Sequence, residues 1–167
     1  MQLYTIQNSE YPLSTHVLEL NKSNIHQKAL ELVQTKLLEL EAHYEDLKEG
    51  QSSNSKSTAG DKHDTEREKV QQEIDNVQKQ LSRQKNFRNI LSQISPDKTY
   101  EKARLGAFVQ TESGRFYISI PFGKINVSGE AIWCISAASP IGQALLNKEE
   151  GHSFSFNGKE SRILSIH

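Results

Sequence analysis

Two carboxylates, Asp61 and Asp64, stand three residues apart in the segment GDKHDTE at residues 60–66. A carboxylate pair at this spacing suits Mg²⁺, which prefers carboxylate oxygens and keeps several waters of its own. Residues at i and i+3 of a helix face the same side, so both acids can reach one metal if a helix begins at this segment. In the alternative interpretation these acids, with Glu66, only cap that helix and complement its positive end.

Heptad-patterned stretches lie on both sides of this segment. In the first, apolar residues alternate at spacings of three and four, which is the a/d rule of a coiled coil, and Ser14 or Asn21 is expected to cap the start of the helix. The second follows the same rule but slips in register near Gln84, as in a stammer. The predicted seams are Leu30, Val33, Leu37, Leu40, Tyr44 and Leu47, then Val70, Ile74, Val77, Leu81, Gln84, Phe87, Leu91 and Ile94.

A polar segment, QSSNSKSTAG at residues 51–60, separates the two stretches and contains no apolar side chain larger than Ala. Such a segment favours a chain reversal. The helices can then pair within one chain or with a second chain, and we favour an antiparallel hairpin in a monomer because each stripe is only one seam wide. The hairpin places an acidic tip near residues 59–66, at the end of a rod of about 45 Å for ~30 residues.

The apolar pattern changes to a period of two after Pro96, which ends the second helix because proline pushes the preceding residue out of the helical region. The turn signals Glu112–Gly114 and Asn157–Gly158 each predict a β-hairpin. Strands are predicted at residues 105–111, 115–120, 131–136, 153–156 and 161–166, and Gly123 and Gly129 continue the β pattern.

One short helix is predicted within this second half. Ser139 is suited to the N-cap and Pro140 to the first helical position, and the helix extends through Leu146. The predicted fold class is therefore α+β: an N-terminal antiparallel coiled-coil helical hairpin at residues 1–97, followed by a small, mostly antiparallel β-domain with one short helix at residues 98–167. We expect the hairpin and the β-domain to have separate cores.

The composition of the chain excludes several classes of protein. The 167 residues are 35% hydrophobic and 25% charged, which is typical of a soluble globular chain. No apolar run approaches a membrane span and the start lacks the layout of a signal peptide, so we expect a cytoplasmic protein. The one cysteine, Cys134, excludes an internal disulfide and a cysteine-based metal site, and the six histidines have no metal-ligand spacing.

The charge is distributed unevenly, although the net charge is only −1. Two interpretations of the basic stretch at residues 79–104 remain open: a solvated helix face with a polar linker, or a docking patch for an acidic partner. Against Asp97 and Glu101, this stretch carries Lys79, Arg83, Lys85, Arg88, Lys98, Lys102 and Arg104.

No arrangement of residues indicates a self-contained enzyme. Cys134 lies in a predicted strand, where a lone cysteine is usually a small buried apolar residue, and no histidine and acid are placed around it in the sequence. The chain has no glycine-rich nucleotide loop and no nucleophile elbow.

Two motifs resemble those of the bacterial Gre transcript-cleavage factors, and the order of hairpin and β-domain agrees with that family over nearly the whole chain. The segment GDKHDTERE resembles the Gre loop, in which a Gly-Asp pair is followed three residues later by a second acid. The segment SPIGQALLNKEEGHSF resembles the Gre C-terminal signature. The resemblance implies a coiled coil that enters the secondary channel of RNA polymerase, and an FKBP-like C-terminal domain that anchors on the channel rim.

The resemblance also implies roles for particular residues. Asp61 and Asp64 would be the catalytic tip carboxylates, sharing a Mg²⁺ with the polymerase active site close to the 3′ end of the nascent RNA. The chain would have no cofactor of its own and would act as an accessory factor rather than an enzyme. The expected partner-binding residues are Lys79, Arg83, Arg88, Ser139 and Pro140.

The sequence departs from the Gre pattern at three positions. Asp64 stands where the family usually has Glu, which is one methylene longer, and Asn147 and His152 replace the usual Gly and Asp of the C-terminal signature. These differences indicate a divergent branch. Three hypotheses follow: a factor that stimulates RNA cleavage by polymerase, a Gre-like occupant of the channel that competes or regulates without cleavage, and a coiled-coil adaptor unrelated to polymerase.

Overall fold

The N-terminal half forms two long helices. A computed structural model describes residues 20–54 and 61–167, and for residues 53, 54 and 61–64 it describes the backbone alone. Helix α1 comprises Lys22–Asn54 and helix α2 comprises Asp61–Ser92. The helices contain 33 and 32 residues, so at ~1.5 Å per residue each is about 50 Å long.

The two helices are antiparallel, as hydrogen bonds at opposite ends show. Near the start of α1, Ser23 Oγ donates to Asp97 Oδ1 at 3.1 Å, just beyond the end of α2. Near the end of α1, Gln51 Nε2 donates to Gln71 Oε1 at 3.1 Å, close to the start of α2. The predicted helical hairpin is confirmed, and the end of α1 and the start of α2 lie far from the β-domain.

The heptad spacing gives the buried seam between the helices. In α1 the seam extends further toward the N-terminus than predicted, through Ala29 and Ile25, and Leu30 is only half-buried. Asn21 caps the helix, since Asn24 N–H donates to Asn21 Oδ1 at 2.9 Å; the other predicted cap, Ser14, lies outside the described residues. The buried seam residues are Ile25, Ala29, Val33, Leu37 and Leu40 on α1, and Ile74, Val77, Leu81, Phe87 and Leu91 on α2.

The second half contains six strands and one short helix; five strands and the helix were predicted, and the sixth lies where Gly123 continues the β pattern. The strands are β1 Phe108–Thr111, β2 Gly114–Ser119, β3 Gly123–Val127, β4 Glu130–Ser136, β5 Ser153–Phe156 and β6 Lys159–Ile166, and helix α3 comprises Pro140–Leu145. The order in the sheet is β3-β4-β2-β1-β6-β5. All neighbours are antiparallel except β2 and β4, which run parallel.

Turn chemistry fixes the two predicted hairpins. Thr111 pairs with Gly114, so a two-residue turn joins β1 to β2. Between β5 and β6, Asn157 and Gly158 have φ of 51° and 74°. Positive φ at both central residues is the geometry of a type I′ turn, which matches the twist of paired strands and favours the Asn-Gly sequence.

The sheet has two apolar faces with different partners. One face packs on α3 and contains Val109, Ile118, Ile135 and Ile163. The opposite face packs on the base of the hairpin, that is, the start of α1 and the end of α2. It contributes Phe108, Tyr117, Ile120, Ile125, Val127, Ile132 and Cys134 to the same cluster as the helix seam.

The expectation of separate cores is therefore wrong. A buried hydrogen bond joins α1 to β2 within the shared cluster, with His26 Nδ1 and Tyr117 Oη 2.7 Å apart. The predicted boundary at residues 97 and 98 falls in the connection between α2 and β1, but the apolar contact between hairpin and sheet continues across it. The heptads determine the pairing of the helices, while the base of the rod is held by the sheet.

The buried His26 predicts an acid-sensitive junction. Burial, reinforced by the positive charge of Lys22, lowers the pKa of His26 from its ordinary 6.5. As the pH falls below 6.5, the unfolded chain takes up a proton that the folded chain does not, so the free energy of unfolding decreases. The decrease ends once the pH passes the lowered folded pKa, and one proton contributes at most about 1.4 kcal/mol per pH unit.

Denaturant unfolding between pH 7 and pH 5 measures this effect. The parent should lose stability more steeply than His26→Gln, whose side chain does not titrate. His43→Gln is the matched control on the same helix, because the His43 side chain is 49% exposed; it should follow the parent. Equal slopes for the parent and His26→Gln would show that the junction does not sense pH.

Candidate functional site

The acidic segment lies at the free end of the hairpin. Helix α2 begins at Asp61, which places Asp61 and Asp64 in its first turn, one helical step of i, i+3 apart. The Gln51–Gln71 hydrogen bond holds the two helices together close to this end. The rest of the predicted tip, residues 59 and 60, lies outside the described residues, as do the side chains of the two acids.

From the sequence, both acids can reach one metal if a helix begins at this segment, and α2 does begin there. Two carboxylates one turn apart suit a hard cation that takes few protein ligands and keeps several waters. The positive end of the α2 dipole also stabilises negative charge in the first turn, so both interpretations of the acids fit the same backbone. Among the residues whose side chains are described, no group of three or more His, Cys, Asp or Glu is placed to hold a metal.

The predicted basic docking patch is divided between two sides of the hairpin. Arg83 lines a cleft with Phe122 of the sheet, while Arg88 lines a different groove with Leu30 of α1. Five helical residues correspond to a rotation of about 140°, whereas Lys79 and Arg83, four residues apart, lie about 40° apart. Lys79 and Arg83 therefore share a side, and a docking role for Arg88 would require a second surface.

Most residues of the Ser-Pro motif have a role in the local structure at the start of α3. Ser139 Oγ accepts the Gly142 N–H at 3.1 Å and donates to Ser136 O at 2.7 Å, so this hydroxyl is used in capping α3. A Cβ at position 142 would lie 2.2 Å from Ser136 O, so only glycine fits there. Pro140 is exposed at the first helical position and is the member of the motif that is open to a partner.

The two unusual residues of the C-terminal signature take local structural roles. Asn147 has φ of 63°, the left-handed region where glycine is the ordinary choice and Asn is tolerated. His152 Nδ1 accepts the Glu149 N–H at 3.1 Å, a bond that a carboxylate could also accept. The turn therefore forms with Asn147 and His152 in place of the usual residues, so these replacements do not indicate a different fold here.

Cys134 is not placed to act as a nucleophile. Its side chain is buried on the sheet face that packs on the hairpin, and burial raises the pKa of its thiol to about 12. Only the thiolate reacts, so this thiol is inert near neutral pH. The side chains of β4 alternate between the two faces of the sheet, and the neighbouring Trp133 is 44% exposed.

The sequence did not indicate the cationic cluster at the base of the hairpin. Lys22 Nζ lies 4.6 Å from the centre of the Tyr100 ring, and Lys98 and Arg104 approach the same ring at 5.8 and 5.6 Å. Lys22 also donates to the Lys98 carbonyl, and desolvation by burial lowers the pKa of its amine. These contacts lock the start of α1 to the chain that follows α2, and only their basic composition was visible in the sequence.

Comparisons with known proteins give one structural likeness. No protein-family model matches the chain, and no curated protein matches it. The match to a solved structure of the transcription factor Gfh1 spans 84% of this chain and 94% of the Gfh1 chain, at 21% identity and a TM-score of 0.35. The resemblance to Gre factors therefore depends on the two sequence motifs and on the order of hairpin and sheet. No helix among the described residues is long and apolar enough to cross a membrane.

Proposed function

We propose that this protein is a Gre-type transcription factor that binds bacterial RNA polymerase and inserts its hairpin into the secondary channel. The observation that carries the proposal is the position of Asp61 and Asp64 in the first turn of α2. The far end of this 32-residue helix is anchored on the sheet. An acidic pair at the tip of a rod about 48 Å long is suited to reaching a buried site from outside.

In the polymerase active site, Asp61 and Asp64 would hold a Mg²⁺ together with the polymerase's own carboxylates. When bound, that ion would supply Lewis-acid activation of the water that hydrolyses the backtracked RNA. The chain would contribute two carboxylates about one helical turn apart, at the positive end of a helix dipole that favours negative charge. It acts as an accessory factor, with no catalytic site of its own.

The sheet and the basic side of α2 would remain outside and provide affinity. Lys79 and Arg83 lie on one side of α2, and exposed Pro140 opens the short helix of the β-domain. Cationic contacts of this kind are screened by salt, so polymerase binding should weaken as the ionic strength rises. The FKBP-like character of the β-domain and its docking on the channel rim belong to the same proposal.

A second candidate function is occupancy of the channel without cleavage. The observation that favours it is the identity of Asp64, whose side chain is one methylene shorter than the usual Glu. The shorter side chain withdraws the carboxylate by about one C–C bond length, or roughly 1.5 Å. A competitor of this kind would bind polymerase and exclude other channel factors.

A tethered iron chelate at the tip tests insertion separately from cleavage. Thr65→Cys, exposed on α2 beside the acidic pair, supplies the attachment site, since the native Cys134 is buried and its raised pKa of about 12 keeps it unreactive. Hydroxyl radicals released in the complex should cut polymerase segments around its catalytic metal. The matched tether Ser165→Cys, on β6, should cut only the outer surface. Cuts confined to the outer surface for both tethers would contradict insertion.

A further inference from the structure

An open cleft lies in the corner between the hairpin and the sheet. It has a volume of about 570 Å³, within the range of pockets that bind a small ligand or a few peptide residues. Both helices and the loop between β2 and β3 contribute to it. Its lining residues are Lys36 of α1, Arg83, Gln84 and Phe87 of α2, and Pro121 and Phe122 of the loop.

Gln84 is the unusual residue of this lining. It occupies the position where the heptad register slips, and its Oε1 is buried with no hydrogen-bond partner among the described residues. A buried acceptor without a partner lowers the stability of the folded chain, and native structures contain few of them. An apolar residue would fill a seam position without this cost. Gln84 Oε1 is shielded from solvent as the side chain lies in this structure, and a rotation of the side chain would turn this acceptor into the cleft toward a donor from another molecule.

The charges around the cleft favour an anionic occupant. Arg83 makes no ion pair with the described residues, and its guanidinium presents several donors in a planar fork that matches a carboxylate. Lys36 contributes a second cation, although its Nζ also contacts Glu39 Oε2 at 3.1 Å. One free and one shared cation can neutralise a single carboxylate.

The loop side of the cleft is apolar and fixed in shape. Phe122 N–H donates to Ile120 O at 2.8 Å, which closes a three-residue turn around Pro121. Phe122 is half-buried and packs against the shared core, and Phe87 is only 8% exposed at the floor. A preformed aromatic wall takes an apolar side chain without first having to become ordered.

We propose that this cleft binds a short acidic segment of a protein partner. The segment places an apolar side chain against Phe122 and Phe87 and a carboxylate on Arg83. The Gln84 side chain turns its Oε1 into the cleft, where it accepts a main-chain N–H of the segment. A peptide fits better than a nucleic acid strand, because single strands need a longer cationic track and several exposed aromatic platforms. The identity of the partner rests on the proposed function: the segment would be a surface loop of RNA polymerase.

Affinity and stability together test the role of Gln84. Gln84→Leu removes the unpaired acceptor, so its melting temperature should equal that of the parent or exceed it by about 2–4 °C. Its affinity for purified bacterial RNA polymerase should nevertheless fall about tenfold, and Arg83→Ala should fall similarly. If Gln84 only stabilised the fold, Gln84→Leu would not keep or raise the melting temperature while weakening the binding of polymerase. Arg162→Ala, an exposed arginine on β6, is the matched charge control and should stay within about threefold.

Photo-crosslinking identifies the occupant. With p-benzoylphenylalanine in place of Phe122, irradiation of the full-length protein bound to polymerase should yield crosslinked polymerase peptides rich in Asp and Glu. Crosslinks to RNA or DNA, or parent affinity for both Gln84→Leu and Arg83→Ala, would overturn the proposal while leaving polymerase binding intact. Failure of the parent itself to bind polymerase would overturn the proposed function and, with it, the identity of this partner.

Discussion

Asp61→Ala is expected to lower the rate of Mg²⁺-dependent cleavage of backtracked RNA at least 100-fold, and Asp64→Ala is expected to do the same. Loss of a carboxylate that positions a metal costs on the order of 10² in rate. The hairpin should still fold, because substitutions in the first turn of a helix typically change the free energy of unfolding by about 1 kcal/mol. Single-turnover cleavage of labelled RNA in stalled complexes measures the effect.

Glu68→Ala is the matched control for the two acids. Glu68 lies on α2 one turn beyond Asp64 and is exposed, so its removal deletes the same charge further from the tip. We expect cleavage within about threefold of the parent, since an exposed charge at this distance acts only through screened electrostatics. Equal losses for Glu68→Ala and Asp61→Ala would mean that the tip contributes general negative charge and no metal ligand.

Leu37→Asp is expected to unfold the hairpin and weaken the sheet with it. Leu37 is 1% exposed and belongs to the cluster that also contains Tyr117 and Cys134 of the sheet. Burying an unpaired carboxylate in this cluster should cost about 4 kcal/mol or more. Circular dichroism at 222 nm follows the helices, and fluorescence of Trp133, the one tryptophan of the chain, follows the sheet.

The shared core predicts that these two signals change together. Denaturant midpoints from circular dichroism and fluorescence should coincide in the parent, and both should shift in Leu37→Asp. Leu38→Asp is the matched control at the next residue, where the side chain is 58% exposed, and it should unfold like the parent. A sheet signal unchanged in Leu37→Asp would show that the hairpin and the sheet fold independently after all.

Local chemistry explains why much of the fold could be predicted from the sequence. The 3-4 spacing predicted the buried positions Val33, Leu37 and Leu40, because a helix presents every third or fourth residue to the same partner. Asn157 and Gly158 predicted their hairpin since few residue pairs tolerate two positive φ values. Each of these features depends on neighbours within a few residues of the chain.

Features that depend on distant residues were not predictable in the same way. The parallel pairing of β2 and β4 and the packing of the sheet on the hairpin follow from the tertiary arrangement, which no local pattern encodes. His26 and Tyr117 are 91 residues apart, so their hydrogen bond had no signal in the sequence. Arg83 and Arg88 looked like one patch because sequence proximity conceals a rotation of about 140° around the helix.

The candidate site also has one feature that the local sequence predicted and one that it did not. The first-turn position of Asp61 was predictable, because the polar reversal before it and the heptads after it bracket the start of α2. The unpaired Oε1 of Gln84 was not, although the register slip marked the residue. A slip shows that the seam is irregular, while only the packed structure shows which polar atom is left without a partner.

The most direct test of cleavage is an assay of the full-length protein on stalled, backtracked polymerase with Mg²⁺ varied. We expect shortening of the RNA from its 3′ end, dependent on Mg²⁺ and absent in the Asp61→Ala, Asp64→Ala double variant. Stable binding of polymerase without shortening of the RNA at any Mg²⁺ concentration would contradict cleavage stimulation. In that case a gain of cleavage by Asp64→Glu would assign the difference to the single missing methylene.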